Sequence, residues 1–270
     1  MKRRSFVRAF VVFLFLLFTT GGFSEAKELI DPFPFIASSY LVKIDGKIVW
    51  AKDIHKRLPP ASLTKIMTAL IALEKIKPDE IVRVSRSAAM EDGSRIRLKE
   101  GDRLRAIDLI CAALIHSAND ACRAIAEYVG GSESNFVRMM NLRAQRMGLK
   151  NTNFVNSCGH DHPNHYSSAY DLMILTEAAM RNQAFARIVS IPEMEVKTVD
   201  GKRTFKLKNK NKLIDCYPGV IGVKTGYTDR AGRCLVAWAE RGNRKVLLIL
   251  LNAPNRWDDA PFLLDLAFEF

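Results

Sequence analysis

The chain has 270 residues, with 41 Lys and Arg against 29 Asp and Glu for a net charge of +12, and 48% of it is hydrophobic. That length fits one large domain or two small ones around a sizeable buried core. With 26% charged residues, 15 Gly and 10 Pro, disordered, collagen-like and low-complexity architectures are excluded, and no long-period repeat suggests a solenoid or propeller.

Residues 1–26 read as an export signal. Lys2, Arg3, Arg4 and Arg8 form a positive n-region, Ala9–Phe18 is an unbroken apolar run, and Ser24-Glu25-Ala26 is a small-x-small cleavage site before Lys27. The run is too short for a comfortable membrane span, and no Cys near the cleavage point supports lipidation. The protein is therefore expected outside the cytoplasmic membrane, periplasmic or extracytoplasmic, and membrane-associated if the signal is retained. Export argues against a nucleic-acid partner and makes anionic lipid head groups or wall polymers the nearby polyanions for the basic charge.

Further along, Tyr40–Trp50 alternates on both sides of Asp45-Gly46, which predicts a hairpin. Leu63–Ile76 is apolar nearly all round and predicts a buried helix. Apolar helices are also expected over Arg105–Ile115 and over Ala121–Val129, the latter stopped by Gly130-Gly131. Asn135–Met147 and Ala169–Arg181 complete a helical block. Beyond Glu195 the period falls to two, and strands are expected at Thr204–Leu207, Gly219–Lys224, Leu235–Ala239 and Val246–Leu251, followed by a closing helix at Ala260–Phe270. The basic run Lys202, Arg203, Lys206, Lys208, Lys210, Lys212 puts its alternate lysines on one face of an extended segment, a blunted edge strand or a binding patch. The order hairpin, helices, strands, helix predicts an α/β (α+β) fold: an antiparallel sheet assembled from both chain ends, covered by helices, with an all-helical subdomain. Cys111, Cys122, Cys158, Cys216 and Cys234 are odd in number, and no disulfide framework is expected.

Three short motifs carry chemistry. Ser62-Leu63-Thr64-Lys65 puts a hydroxyl and an amine one helical turn apart, and a neutral lysine there can take the serine proton. A solvated lysine stays protonated at neutral pH, so this role requires desolvation or a nearby cation. The pattern alone is weak, since Ser24-Glu25-Ala26-Lys27 repeats it across the cleavage site. Ser117-Ala118-Asn119 is a polar break between two apolar helices, able to relay a proton or, more blandly, to cap a helix. Lys224-Thr225-Gly226 ends a strand along which a peptide could pair, with Gly222 and Gly226 admitting a ligand backbone and Lys224 supplying a cation to lower the Lys65 pKa.

Together, these motifs make the sequence resemble the serine D-alanyl-D-alanine carboxypeptidases, the low-molecular-mass penicillin-binding proteins of the DD-peptidase/β-lactamase superfamily. The resemblance runs through Pro60–Thr68, His116–Ala121, Phe136–Val137, Met140–Asn141, Gly148–Leu149, Asn151–Phe154, His165–Asp171 and Gly222–Thr228. It implies that Ser62 is the acylated nucleophile, Lys65 its base and Ser117 the proton relay to departing D-alanine. Asn119, Lys224, Thr225 and Gly226 would bind substrate, the Ser62 and Tyr227 amides would form the oxyanion hole, and Arg256 would meet the terminal carboxylate with Thr225. The implied substrate is the peptidoglycan stem pentapeptide, with β-lactams as covalent inhibitors and no metal or organic cofactor. Ser157-Cys158-Gly159-His160-Asp161 departs from the family's Pro-x-Gly-Leu-Asp, altering the loop beside the site. Residues 27–270 are expected to be the catalytic domain, with no C-terminal β-domain or anchor helix.

Four other readings stand beside this one. Cys158, His160, Asp161, His162 and His165 offer zinc-ligand chemistry, but their spacing matches no familiar zinc motif. A class A β-lactamase would need Glu-x-x-Leu-Asn before the Lys-Thr-Gly strand, which the sequence lacks. D,D-endopeptidase activity would use the same site. A catalytically idle wall-binding protein would have no need of all three motifs.

Overall fold

A computed structural model describes residues 30–270; the export signal lies outside the described residues. Five antiparallel strands form the main sheet: β1 (Ser39–Ile44), β2 (Lys47–Lys52), and, from the other end of the chain, β7 (Val220–Thr228), β8 (Gly232–Arg241) and β9 (Arg244–Leu251). Their order is β2-β1-β9-β8-β7. Asp45 and Gly46 turn the first hairpin at φ of 45° and 86°, the left-handed pair that matches strand twist.

Alternation decides what each face buries. Tyr40, Leu250 and Leu235 lie side by side in register on one face, where they pack on Leu263 and Leu264 of the closing helix. The next row, Leu41, Ile249 and Val236, belongs to the opposite face with the helical block and ends on β7 at Lys224. A one-residue slip would exchange the two sets, so burial on both faces fixes the register.

The helical block contains α1 (Lys65–Lys75), α2 (Arg86–Ala89), α3 (Ala106–Ile115), α4 (Asn119–Gly130), α5 (Glu133–Arg146), α6 (Ala169–Met180) and α7 (Gln183–Val189). A short α8 (Leu213–Cys216) precedes β7, and α9 (Arg256–Glu269) closes the chain. Ser132 and Ser168 cap α5 and α6 through bonds from the third amide beyond each. Two small sheets complete the fold, β3 (Ile81–Arg83) with β4 (Arg103–Arg105), and β5 (Glu193–Lys197) with β6 (Thr204–Lys208). Among the described residues no helix is long and apolar enough to cross a membrane.

The elements expected from periodicity are present, and several differ in detail. Strand β7 runs to Thr228, four residues past its expected end, so Lys224-Thr225-Gly226 lies inside the strand and does not end it. Helix α9 begins at Arg256, four residues before the expected start, and carries Pro261 past its first turn, where the missing proline N–H leaves the Trp257 carbonyl without its i→i−4 partner. Strand β6 pairs only with β5, outside the main sheet, burying Phe205 and Leu207 and exposing Lys206 and Lys208. The predicted helix at Leu63 is preceded by a 3-10 turn, Ala61–Thr64, with the α-helix starting at Lys65.

Candidate active site

Ser62 sits on that 3-10 turn, and the turn is held from several directions. Ala61 adopts φ of 49°, uncommon for a residue with a Cβ. Its carbonyl accepts the Thr64 hydroxyl at 2.8 Å, and Thr64 Oγ1 lies 2.8 Å from His165 Nε2. Because the Val155 amide donates to His165 Nδ1 at 3.1 Å, the ring proton belongs on Nε2 and points at Thr64. Burial holds His165 down to about 4, since a second ring proton would face the Val155 N–H. Gly226 and Gly159 press on the same turn. A Cβ on Gly226 would stand 3.0 Å from the Ala61 Cβ and the Pro60 carbonyl, and one on Gly159 1.9 Å from the Ala61 carbonyl.

Lys65 is fully buried and its Nζ donates to three oxygens: Ser62 Oγ at 3.0 Å, Asn119 Oδ1 at 2.7 Å and the Cys158 carbonyl at 2.7 Å. Asn119 opens α4, yet the N-cap there is Ala118, without a side-chain cap bond. The amide is used elsewhere: Asn119 Nδ2 donates to the Asp92 carbonyl at 2.5 Å, and its backbone amide to the Ser94 carbonyl at 2.7 Å. Ser117 stands just before it at φ of 62°, a strained conformation that the surrounding fold must impose.

Lys224, also buried, donates to Ser117 Oγ at 2.9 Å and to the Thr225 carbonyl at 3.0 Å. Burial first, and the charge of Lys65 second, push the Lys224 ammonium well below the ordinary lysine range. Gly222 makes room for Val189, whose side chain would lie 2.9 Å from an added Cβ, and Gly226 for the nucleophile turn; what approaches closely is the protein itself.

Thr225 is buried on β7, and Tyr227 is exposed two residues on. Strand β7 is an edge, so its outward backbone groups can pair with an extended ligand. Arg256, at the start of α9, lies under this strand: Nη1 donates to the Gly226 carbonyl at 2.6 Å and the Cys234 carbonyl at 2.8 Å, and the guanidinium stacks 4.7 Å over Trp257. The structure thus gives two hydrogen-bonded groups, Ser62, Lys65 and Asn119 in one and Ser117 and Lys224 in the other, with Thr225, Gly226, Tyr227 and Arg256 along the adjoining edge.

Sequence reasoning noted that the 157–161 loop was altered and missed what it holds. Ser157 donates its amide and hydroxyl to Glu133 at 3.0 and 2.7 Å, and its carbonyl accepts Thr68 at 2.6 Å. Cys158 supplies its carbonyl to Lys65. Asp161 accepts Thr228 Oγ1 at 2.6 Å and the Arg230 amide at 3.2 Å, tying the loop to the end of β7. The five residues considered as zinc ligands therefore part company: His165 turns to Thr64 and Asp161 to β7, while only His160 stays near Cys158. The signal for this wall was the departure itself, because small and polar residues replacing Pro and Leu need partners.

A family model described as D-alanyl-D-alanine carboxypeptidase matches residues 34–255. The chain is 40% identical over 241 residues to D-alanyl-D-alanine carboxypeptidase DacF of Bacillus subtilis, covering 86% of this chain and 62% of that one. To DacD of Escherichia coli it is 35% identical, covering 94% of this chain and 67% of the relative. It thus spans roughly two-thirds of the length of these curated relatives. Among solved structures, a Streptomyces DD-transpeptidase superposes with a TM-score of 0.82 at 28% identity, covering 90% of this chain and 100% of that one. The DacD enzyme of Francisella tularensis gives 0.79 at 25% identity, covering 92% and 73%.

Proposed function

The chain belongs to the D-alanyl-D-alanine carboxypeptidase family, and from that premise we propose that it is an exported serine D,D-carboxypeptidase acting on peptidoglycan stem peptides that end in D-Ala-D-Ala. The observation that carries this reading is the doubled serine–lysine arrangement: Lys65 on Ser62 at 3.0 Å and Lys224 on Ser117 at 2.9 Å, both amines buried. A surface serine and a solvated lysine would have no such activation.

In the proposed reaction Ser62 Oγ attacks the carbonyl of the penultimate D-alanine, and its proton passes to the Lys65 amine. The Ser62 and Tyr227 amides hold the oxyanion. Ser117, linked to Lys224, relays the proton taken up by Lys65 to the departing amine as the C–N bond breaks, leaving an ester on Ser62 and free D-alanine. Water then attacks the ester, releasing the shortened peptide and restoring the Ser62 hydroxyl. Thr225, Lys224 and Arg256 receive the substrate carboxylate, for which charge-assisted hydrogen bonds suit them. A β-lactam would enter by the same attack. The exposed Lys206, Lys208, Lys210 and Lys212 support electrostatic association with anionic wall polymers or lipid.

Incubation with a pentapeptide ending in D-Ala-D-Ala should release D-alanine, and mass spectrometry should find one penicilloyl adduct on Ser62. Failure of both would overturn the reading. Rapid penicillin turnover without D-alanine release would assign a β-lactamase instead, and cleavage of cross-linked dimers would add endopeptidase activity.

A further inference from the structure

Beside the catalytic lysine, and separate from the groups that do the proposed chemistry, three metal-ligand side chains converge. The Glu91 carboxylate, the Cys158 thiol and the His160 imidazole offer ligand atoms all within 4.8 Å of one another. His160 Nε2 lies 2.7 Å from Glu91 Oε2. Glu91 comes from the segment before α3, 69 residues earlier in the chain, so the grouping is invisible to motif spacing.

Each ligand is positioned by something else. Arg123 holds the other Glu91 oxygen at 3.2 Å. The Asn156 side chain accepts the Gly159 and His160 amides at 2.7 and 3.0 Å, fixing the turn that presents His160. Cys158 is buried against Ala113 and Cys122, with its carbonyl engaged by Lys65. A cleft of about 290 Å³ lined by Ser87, Met90, Glu91, Asp92 and His160 opens the group to solvent.

We propose that Glu91, Cys158 and His160 form a three-ligand Zn²⁺ site, with water in the fourth position, that clamps the 91–94 segment to the 157–161 loop. Sulfur, imidazole nitrogen and carboxylate oxygen are the donors zinc takes, in tetrahedral geometry at about 2.0–2.3 Å. To reach them the three ligand atoms draw together from their present spread, which is within 4.8 Å. On binding, Cys158 loses its S–H proton to solvent, the imidazole donates a lone pair as the neutral ring, and the Glu91–His160 hydrogen bond gives way to two metal bonds. Zinc keeps its oxidation state.

The clamp joins the two backbone segments that hold the catalytic polar groups. On one side the Asp92 and Ser94 carbonyls accept Asn119, and on the other the Cys158 carbonyl accepts Lys65. The metal's role is to fix these carbonyls, and it touches no reacting atom.

The test is titration of the reduced, metal-free full chain with Co²⁺. One equivalent should produce a near-ultraviolet thiolate-to-cobalt band together with visible bands of tetrahedral intensity, and Zn²⁺ should displace them. Zn²⁺ alone should raise the melting midpoint. Cys158→Ser should abolish the charge-transfer band, whereas Cys216→Ser, at the exposed cysteine, should leave it intact. His160→Ala and Glu91→Gln should each weaken Zn²⁺ binding by about tenfold or more, and they decide the matter if Cys158→Ser does not fold. No band from protein whose circular dichroism shows it folded, or a band lost with Cys216 and indifferent to His160, would overturn the proposal.

Discussion

Lys65 reaches Ser62 at 3.0 Å within one turn of chain, whereas Lys224 reaches Ser117 at 2.9 Å across 107 residues. The two pairs have almost the same length and opposite construction. Lys65 is tethered by two further acceptors, Asn119 Oδ1 and the Cys158 carbonyl, and the nucleophile turn beneath it is buttressed by Thr64, His165, Gly159 and Gly226. Lys224 has one further acceptor, its neighbour's carbonyl, and sits where burial and the Lys65 charge both work against its own. The first pair is built to hold an amine in place against a hydroxyl, the second to hold one whose charge is easily lost.

The comparison breaks most sharply at the nucleophile. Ser62→Ala should abolish penicillin labelling and lower D-alanine release by roughly 10⁴-fold or more, while Ser117→Ala should leave labelling measurable. If Ser117→Ala also abolished labelling with its fold intact, the two serines could not have the separate roles assigned to them. Lys65→Ala is expected to slow acylation by about 10²–10⁴-fold, the range of a positioned base.

In the proposed reaction Lys224 supplies charge for the substrate carboxylate, so its loss should appear mainly in KM, and a pH profile sharpens this difference. An ammonium with a lowered pKa is charged below that value and neutral above it, so carboxylate binding should weaken as pH rises, with an alkaline limb in kcat/KM beginning below pH 10.5. Lys224→Arg, which keeps its charge, should remove the limb; an unchanged limb would assign it to another group. Arg256→Ala, on the same edge, should raise KM by about tenfold with little effect on kcat.

The smallest effect concerns the support under Lys65. His165 is neutral when folded, with its pKa held down to about 4, and takes up a proton near 6.5 once unfolded. Between those values the unfolded chain binds more protons, so its stabilising contribution is full above about 6.5 and is lost as pH falls toward 4. Melting midpoints measured across that interval should fall in the wild type and flatten in His165→Gln. An equally steep fall in the variant would locate the acid sensitivity elsewhere.

Legibility in the sequence follows the same division. The nucleophile pair could be read because i and i+3 on a helix are neighbours, and β1, β8 and β9 because burial on both faces imposes alternation or continuous apolar runs. The Ser117–Lys224 contact could be anticipated only through the family resemblance, since periodicity says nothing of which helix end meets which strand. Three-residue strands such as β3 and β4 are too short to show a period, and β5 has only Val196 fully buried. The supporting contacts were least accessible. That Cys158 serves Lys65 through its carbonyl, and that Gly222 makes room for Val189, depend on where the backbone passes, and residue type carries no mark of either.

Strand β1 lies between β2 and β9, and this arrangement sets an order of assembly. A chain made from its N-terminus presents the first hairpin and the nucleophile helix early, yet the bed for β1 is complete only after Leu251. Lys224 and the β7 edge also arrive late and acquire their neighbours when β8 and β9 have paired. Pairings this distant in sequence form slowly because loop closure must precede their stabilisation. A nascent or truncated chain therefore carries Ser62 and Lys65 without the second lysine or the β7 edge, so the proposed hydrolytic competence arises at the end of folding, when the two ends of the chain have met.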